Sequence, residues 1–337
     1  MATRKVGTWK GVVFASIVAT ALALVGARTV LTDNSSRVTP IEQTRPLRIG
    51  VDMWLGYYPL LLAEELGYLR EADIPVAISV TEDSDRMFAA FAAGEYDIVG
   101  VSLADAVTLT RARSDLRVLL ITDESTGADG VLSMHPILGP DSIRGKRIGT
   151  NFGGFGEVFL DAFLNKHGVL RSEVTLIDTE ASDVPAALSR GLVDIAHTWE
   201  PYVSQAQAQG ANLCFTTRET PKLVLDAMLT TAETRERFPG QLQRLTAQWF
   251  RALEYWQEHP DLGNAILEKR LGLKPGEIST EGVKLLGLED NRKLFGANGK
   301  AGEMQGTAEL YIEFFVDTGV LTRRPPLAQL IDGGDLP

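Results

Sequence analysis

The stretch LRIGV at residues 47–51 recurs as KRIGT at residues 146–150. Each copy is followed by a helical pattern, a second short strand, a short helix that ends in glycine, and an Asp-Ile pair. A series of features repeated in register predicts two similar units in one chain. Strands that alternate with helices predict an α/β fold with mostly parallel sheets.

Two polar segments connect the predicted units. Residues 123–130 contain acids, Ser, Thr and Gly, a composition typical of a hinge, and residues 216–222 form a second candidate crossover. Residues 224–229 then predict a strand that returns to the first unit. We therefore expect lobe 1 to contain residues 46–123 and 223–337, and lobe 2 to contain residues 124–222. The alternative is one large domain with plain surface loops.

The composition excludes several classes of protein. The chain has 337 residues, of which 45% are hydrophobic and 23% charged, which is typical of globular proteins of about two domains. Its net charge of -11 disfavours nucleic acid as a partner, because phosphates require compensating Lys and Arg. A single cysteine excludes an internal disulfide framework, and the four histidines form no metal-binding pair in sequence. We expect neither a cofactor nor a metal.

The N-terminus predicts export from the cytoplasm. Basic residues precede an uncharged apolar run at residues 11–26, and small residues at its end are typical of signal-peptidase cleavage after Ala27. Residues 1–27 are therefore interpreted as a signal peptide and residues 28–45 as a flexible leader. The alternative is an uncleaved helix that anchors the protein to the inner membrane.

The candidate binding residues follow the predicted strands. In open parallel sheets, ligands bind beyond the carboxyl ends of the strands, and two lobes joined by two crossovers create a cleft there. The alternatives are a core role for Trp54, helix capping for Ser102, Asp105 and Glu200, and turn formation for the glycines. The predicted site residues are Trp54, Gly56, Tyr57, Tyr58, Ser102 and Asp105; Phe152, Gly153, Gly154, Trp199 and Glu200; and, at the crossovers, Asp123, Asp129 and Asp226.

These segments together resemble the substrate-binding proteins of ABC transporters, of the nitrate/sulfonate/taurine type that includes thiamine-precursor binders. The segments that carry the resemblance are WLGYYP at residues 54–59, GEYD at 94–97, residues 123–129, GKRIG at 145–149 and TWEP at 198–201. The resemblance implies the two-lobed type II periplasmic-binding fold. It also implies a monomeric, extracytoplasmic binding subunit that closes on a small solute and docks on the transmembrane subunits of a permease.

The second-lobe turn departs from the family pattern. Gly153 and Gly154 stand where many relatives place a Ser or Thr hydroxyl, which puts the usual hydroxyl-to-anion contact in doubt. The candidate turns also carry acids and no Lys or Arg, which favours a solute with a nitrogen donor over nitrate or sulfate. The alternative is that these acids only cap helices and brace the hinge.

Other functions find less support in the sequence. A nucleophile elbow and a Walker A loop are both absent, so we predict that the protein is not an enzyme. An enzyme of the same fold remains an alternative. A further alternative is a membrane-anchored solute sensor that signals to a membrane partner.

Overall fold

The computed structural model describes residues 45–296 and 302–337. The predicted signal peptide and nearly all of the predicted leader lie outside these ranges. In the described part of the chain the strands are β1 (Leu47–Asp52), β2 (Val76–Thr81), β3 (Ile98–Ser102), β4 (Leu116–Ser125), β5 (Asp129–Ser133), β6 (Arg147–Thr150), β7 (Thr175–Asp178), β8 (Ile195–Trp199), β9 (Asn212–Thr216), β10 (Leu225–Thr231) and β11 (Val283–Leu285).

Helices separate most of the strands. The helical pattern that follows the first repeated stretch, at residues 59–70, is divided into two helices because Gly67 takes a left-handed conformation with φ of 80°. The α-helices are α1 (Tyr58–Glu65), α2 (Tyr68–Glu71), α3 (Ser84–Ala92), α4 (Leu103–Leu109), α5 (Phe155–Lys166), α6 (Val184–Ser189), α7 (Tyr202–Ala208), α8 (Ala232–Arg237), α9 (Gln241–Glu258), α10 (Pro260–Leu271), α11 (Leu288–Phe295), α12 (Met304–Asp317) and α13 (Leu327–Leu330). Over residues 45–296 and 302–337, none of the helices has the length and apolar character that a membrane span requires.

The strands form two mixed sheets. The first has the order β11-β4-β10-β3-β1-β2 and the second the order β7-β6-β8-β5-β9. β1 pairs in parallel with β2 and β3, and β6 pairs in parallel with β7 and β8. The α/β class is confirmed, but the expectation of mostly parallel sheets is too strong. β5 and β10 each enter at the edge where their parallel neighbours end, so they run antiparallel to the strands beside them.

The internal repeat has a physical basis in one set of hydrogen bonds. Arg48 donates from its backbone amide and guanidinium to Asp97, and from Nη2 to the Gly94 carbonyl. Arg147 makes the same contacts with Asp194 and with the Gly191 carbonyl. Both glycines have positive φ, which a side chain disfavours. The repeated residues thus fasten the third strand of each unit to the first.

Two short crossovers connect the sheets. Residues 126–128 lead from β4 to β5, and residues 217–224 lead from β9 to β10. Thr217 joins them, because its Oγ1 accepts a hydrogen bond from the Gly127 amide at 2.8 Å and lies 2.8 Å from Ser125 Oγ. Both crossovers lie where the sequence predicts them. The division into lobes at residues 124 and 222 stays a prediction.

Buried side chains cover both faces of the first sheet. Ile98 and Val99 are neighbours on β3 and point to opposite faces, as the pleat of a strand requires. Ile98 packs in a cluster with Leu61 of α1 and Trp249 of α9. Val99 packs in a second cluster with residues of α4 and α12. This rigid support fixes the ends of the parallel strands, which is where the candidate site lies.

Candidate functional site

A cavity of about 510 Å³ lies between the carboxyl ends of the parallel strands of both sheets. This volume is within the range of small-molecule sites. The sequence prediction places binding residues at these strand ends, and the structure brings most of them together. The predicted residues that line the cavity are Trp54, Tyr57, Ser102, Asp105, Asp129, Phe152, Gly153, Gly154, Trp199 and Asp226.

Aromatic side chains form much of the cavity wall. Trp54 follows β1 and is only 5% exposed, while Tyr57 is packed over Gly100, where a Cβ would lie 2.7 Å from the Tyr57 ring. Trp199 ends β8, and its ring lies 5.7 Å from that of Phe155. Trp54 therefore belongs to the core and to the cavity wall at once. These walls suit a flat or apolar part of a solute.

A buried acidic cluster, formed by Asp123, Asp129 and Asp226, lies beside the crossovers. Asp226 of β10 is directly opposite Asp123 of β4. Asp123 accepts hydrogen bonds from Thr122 Oγ1 at 2.7 Å and from Trp54 Nε1 at 3.0 Å. Tyr57 Oη lies 3.5 Å from Asp226 Oδ1. The cluster is thus held partly by the aromatic wall.

Burial dominates the electrostatics of this cluster. It raises the pKa of Asp123 to about 7, and the neighbouring charge of Asp129 adds to the effect. Burial raises the pKa of Asp226 well above its ordinary value, and the charges of Asp123 and Asp129 raise it further. Ionisation of Asp123 and Asp226 together is therefore costly, because each charge opposes the other at a buried site.

Two further acids, Asp52 and Asp105, also line the cavity. Burial raises the pKa of Asp52 to about 6, although hydrogen bonds from the Trp54 amide and the Ser84 hydroxyl oppose the shift. Burial also raises the pKa of Asp105 to about 7. Ser102 Oγ lies 2.6 Å from Asp105 Oδ2 and accepts a hydrogen bond from the Asp105 amide at 3.0 Å. Ser102 and Asp105 therefore cap α4 and line the cavity as well.

Asp105 also contacts the opposite sheet. The Asp105 carboxylate lies near the N-terminus of α5, where the backbone N–H of Phe155, the first residue of this helix, opposes the rise in its pKa. A Cβ on Gly154 would lie 2.1 Å from Asp105 Oδ1. The glycine in the second-lobe turn thus leaves room for a carboxylate of the same chain at the N-terminus of α5.

Four predicted residues lie outside the cavity lining and have other partners. Tyr58 donates to the Met53 carbonyl at 3.1 Å, and its ring stacks on Trp256. Glu200 accepts hydrogen bonds from the amide and hydroxyl of Ser204, which is a capping arrangement at α7. Gly56 lies against Asp123, and Asp123 itself is fully buried behind Trp54. A direct ligand contact by these four stays a prediction.

Several residues of the cavity lining are not among the predicted site residues. Asp52 and Asn151 adjoin predicted turns, so their positions alone could have indicated them. Ser84, Asp85 and Phe88 belong to α3, and Arg111 follows α4, and only the packing of these helices brings them to the cavity. Arg111 is the one basic residue of this lining among the residues that the structure describes.

His197 lies behind the lining and is also absent from the predicted site. It is buried, its Nε2 lies 3.8 Å from Asp129 Oδ1, and its Nδ1 lies 3.3 Å from Thr150 Oγ1. The ring packs edge-on against Phe155. Across residues 45–296 and 302–337, His, Cys, Asp and Glu side chains form no group of three that could hold a metal ion.

Comparison with known proteins places this architecture in a family. Residues 54–262 match the family described as NMT1/THI5 like. A binding protein of Brucella abortus is 22% identical over 278 residues, which cover 80% of this chain and 86% of the relative.

Solved structures share the fold at low sequence identity. The periplasmic aliphatic sulphonate binding protein SsuA of Escherichia coli is 19% identical and superposes with a TM-score of 0.67, over 85% of this chain and 97% of SsuA. The desulfurization enzyme DszB is 17% identical, with a TM-score of 0.62, over 86% of this chain and 97% of DszB. Both structures match the two-sheet architecture, and one of them is an enzyme.

Proposed function

This chain belongs to the NMT1/THI5-like family, and from that premise we propose that it is the solute-binding component of an ABC importer. In this proposal the protein is exported to the periplasm or cell envelope, where it works as a monomer. It clamps a small polar solute, of the sulfonate, nitrogenous or thiamine-precursor type, between its lobes. It then delivers the solute to the transmembrane subunits of a permease.

The observation that carries the proposal is the position of the cavity. It lies between two sheets that are connected only by two short crossovers within the described residues, and side chains from both sheets line it. A solute that contacts both sheets stabilises their closed arrangement, because it gains contacts on each side only when they approach. A closed, solute-loaded form is the state that a permease can distinguish from an empty one.

Native mass spectrometry of the protein purified from its host tests this function. We expect a retained small molecule that adds a defined mass and is lost after denaturation and refolding. Trp199→Ala should retain much less of it, because Trp199 is part of the cavity wall. Leu138→Ala is the matched control, since Leu138 is 89% exposed and does not belong to the cavity lining.

The same sample separates binding from catalysis. A binding protein returns the molecule unchanged after prolonged incubation with the refolded chain, whereas an enzyme related to DszB converts it to a product. The N-terminal residue of the mature protein and its release from cells distinguish a transport component from a membrane-anchored sensor. A protein that starts near residue 28 and is released by osmotic shock fits a transport component, and one that stays with the membrane fits a sensor.

A further inference from the structure

The cavity carries an excess of acidic side chains. Arg111, at its edge, is exposed and donates to the Val320 carbonyl at 3.2 Å. An anionic solute would meet several carboxylates and one solvated guanidinium, so electrostatics disfavours it. The acids of the lining are Asp52, Asp85, Asp105, Asp129 and Asp226.

One carboxylate oxygen of Asp129 lacks a hydrogen-bond partner among the described residues, although the side chain is almost completely buried. Its residue is 1% exposed, it lines the cavity, and its Oδ2 accepts no hydrogen bond from the described residues. Its other oxygen lies 3.8 Å from His197 Nε2, which is beyond hydrogen-bond distance. A buried carboxylate oxygen without a donor is costly, so an N–H or O–H donor from a solute would satisfy it.

Asp226 lines the cavity from the first sheet and is also buried. Tyr57 Oη, at 3.5 Å from Asp226 Oδ1, is too distant for a strong hydrogen bond. Asp226 is the second residue of β10 and Asp129 is the first of β5, so the two acids come from different sheets and lie near different crossovers. A donor group that reaches both would connect the two sheets at the base of the cleft.

The place where the cavity would otherwise attract an anion is already occupied. Free amides at a helix N-terminus bind anions well. At the N-terminus of α5, Gly154 leaves room for the Asp105 carboxylate, and the Phe155 amide favours the charged form of that carboxylate. An anionic solute would have to displace Asp105 and then lie beside it.

Acids also face each other across the mouth of the cleft. Glu180, from the second sheet's side, acts electrostatically on Asp52 and is itself influenced by Asp85. Asp178, at the end of β7, acts on Asp85 in the same way. Closure therefore brings like charges together, and a positive charge inside the cleft would reduce their repulsion.

We propose, on the basis of the transport function above, that the solute is a small organic cation whose ammonium or amidinium group binds between Asp129 and Asp226. Its apolar body lies against Trp199 and Phe155, and an aromatic ring near the charged group adds cation–π attraction. Charge-assisted hydrogen bonds from its N–H groups satisfy Asp129 Oδ2. Asp105 acts as a specificity residue, because it keeps anions from the N-terminus of α5.

Matched probes of opposite charge test the inference. Refolded full-length protein is compared by thermal shift and calorimetry with benzamidine and benzoate, and with butylamine and butanesulfonate. We expect the cations to raise the melting temperature and the anions to leave it unchanged. Asp129→Asn should weaken cation binding at least about tenfold, which corresponds to 1.4 kcal/mol. Asp141→Asn is the control of equal charge, because its side chain is 96% exposed and pairs only with Arg144 among the described residues.

Two additional measurements keep the test decisive if Asp129→Asn fails to fold. Asp226→Asn should weaken cation binding in the same way, and the affinity of the wild-type protein for the cation should fall as salt is added. Binding of the anions with no binding of the cations would overturn the inference, as would cation affinity that both variants leave intact. If native mass spectrometry recovers an anionic solute, the transport proposal stands and this inference fails. If it recovers no solute and no probe binds, the transport proposal itself fails.

Discussion

Asp123 and Asp226 are opposite each other on adjacent strands, and neither has a basic side chain as its hydrogen-bond partner among the described residues. Their shared burial makes ionisation of the pair costly. Proteins usually remove such a cost with an ion pair or an apolar substitution. The retained acids therefore make the folded protein sensitive to pH through a small number of known residues.

The ligand-free protein should become less stable as the pH rises from about 5 to about 8. Burial raises the pKa of Asp52 to about 6 and of Asp105 to about 7, and it raises that of Asp226 well above the ordinary range. Because these carboxyls ionise near pH 4 in the unfolded chain, their contribution to stability is full below about pH 4 and is lost as the pH rises through the folded values.

Scanning calorimetry of the ligand-free protein and of Asp226→Asn measures this dependence. The melting temperature of the wild-type protein should fall across the window, and that of the variant should fall less because one titrating group is gone. A wild-type melting temperature that rises steadily from pH 5 to pH 8 would contradict the assignment of these buried acids.

Adding one methyl group at residue 154 should weaken solute binding in the cavity. Gly154→Ala adds a Cβ that would lie 2.1 Å from Asp105 Oδ1, so Asp105 must leave the N-terminus of α5 or the two sheets must separate. We expect an at least severalfold weaker affinity for the retained solute, measured by calorimetry. Gly306→Ala is the control, because this exposed glycine of α12 has open space around its Cβ position, and it should keep full affinity.

At the scale of elements, the internal repeat provides its own matched pair. Asp97 and Asp194 make equivalent contacts with Arg48 and Arg147, but the Asp97 side chain is 5% exposed and the Asp194 side chain 35%. Although burial opposes ionisation of Asp97, hydrogen bonds from Arg45 and Arg48 lower its pKa to about 2. We therefore expect the ion pairs of Asp97 to contribute more to the free energy of unfolding than the ion pair of Asp194.

Urea unfolding of the two variants should show this difference. Asp97→Asn removes a buried carboxylate that accepts hydrogen bonds from both Arg45 and Arg48, so we expect a loss of about 2 kcal/mol or more. Asp194→Asn removes an exposed pair and should cost less than about 1 kcal/mol. Equal losses in both variants would mean that burial does not set the strength of this contact.

The order of the elements in each repeat could be predicted from the sequence, but the directions of some strands could not. The strand-helix-strand order and the residues at strand ends follow from local pattern, and the structure has them where the pattern places them. The directions of β5 and β10 do not follow from local pattern, because they depend on the edge at which each crossover enters a sheet. The same limit applies to Phe88 and Arg111, which reach the cavity only through helix packing.

The sequence also does not show which of two adjacent residues in a turn faces the cavity. Trp54 and Tyr57 line the cavity, whereas Tyr58 turns toward Trp256 in the core. Trp199 lines the cavity, and the adjacent Glu200 caps α7 instead. One residue of displacement along a turn reverses the side-chain direction, and only the tertiary packing decides which one faces the cleft.

At the scale of the whole molecule, solute binding should make the protein more compact. If the two crossovers form a hinge, saturating solute shifts the population toward the closed form, and the radius of gyration from small-angle X-ray scattering should decrease slightly. Trp199→Ala at the same solute concentration is the control. Because this variant should bind the solute weakly, its radius of gyration should stay at the value of the ligand-free protein. A profile that stays the same at confirmed saturation would contradict a two-lobe clamp, although binding itself would still stand.

The bond between the crossovers has a mechanical consequence. Thr217, at the start of the second crossover, contacts Ser125 at the end of β4 and Gly127 of the first crossover, and the Gly282 carbonyl accepts hydrogen bonds from the amides of Thr126 and Ala128. Two connections that are joined side by side resist sliding past each other and bend most easily about the axis that runs across both. We therefore expect any opening of the proposed clamp to follow mainly this one axis, which returns the facing residues to the same register when the clamp shuts.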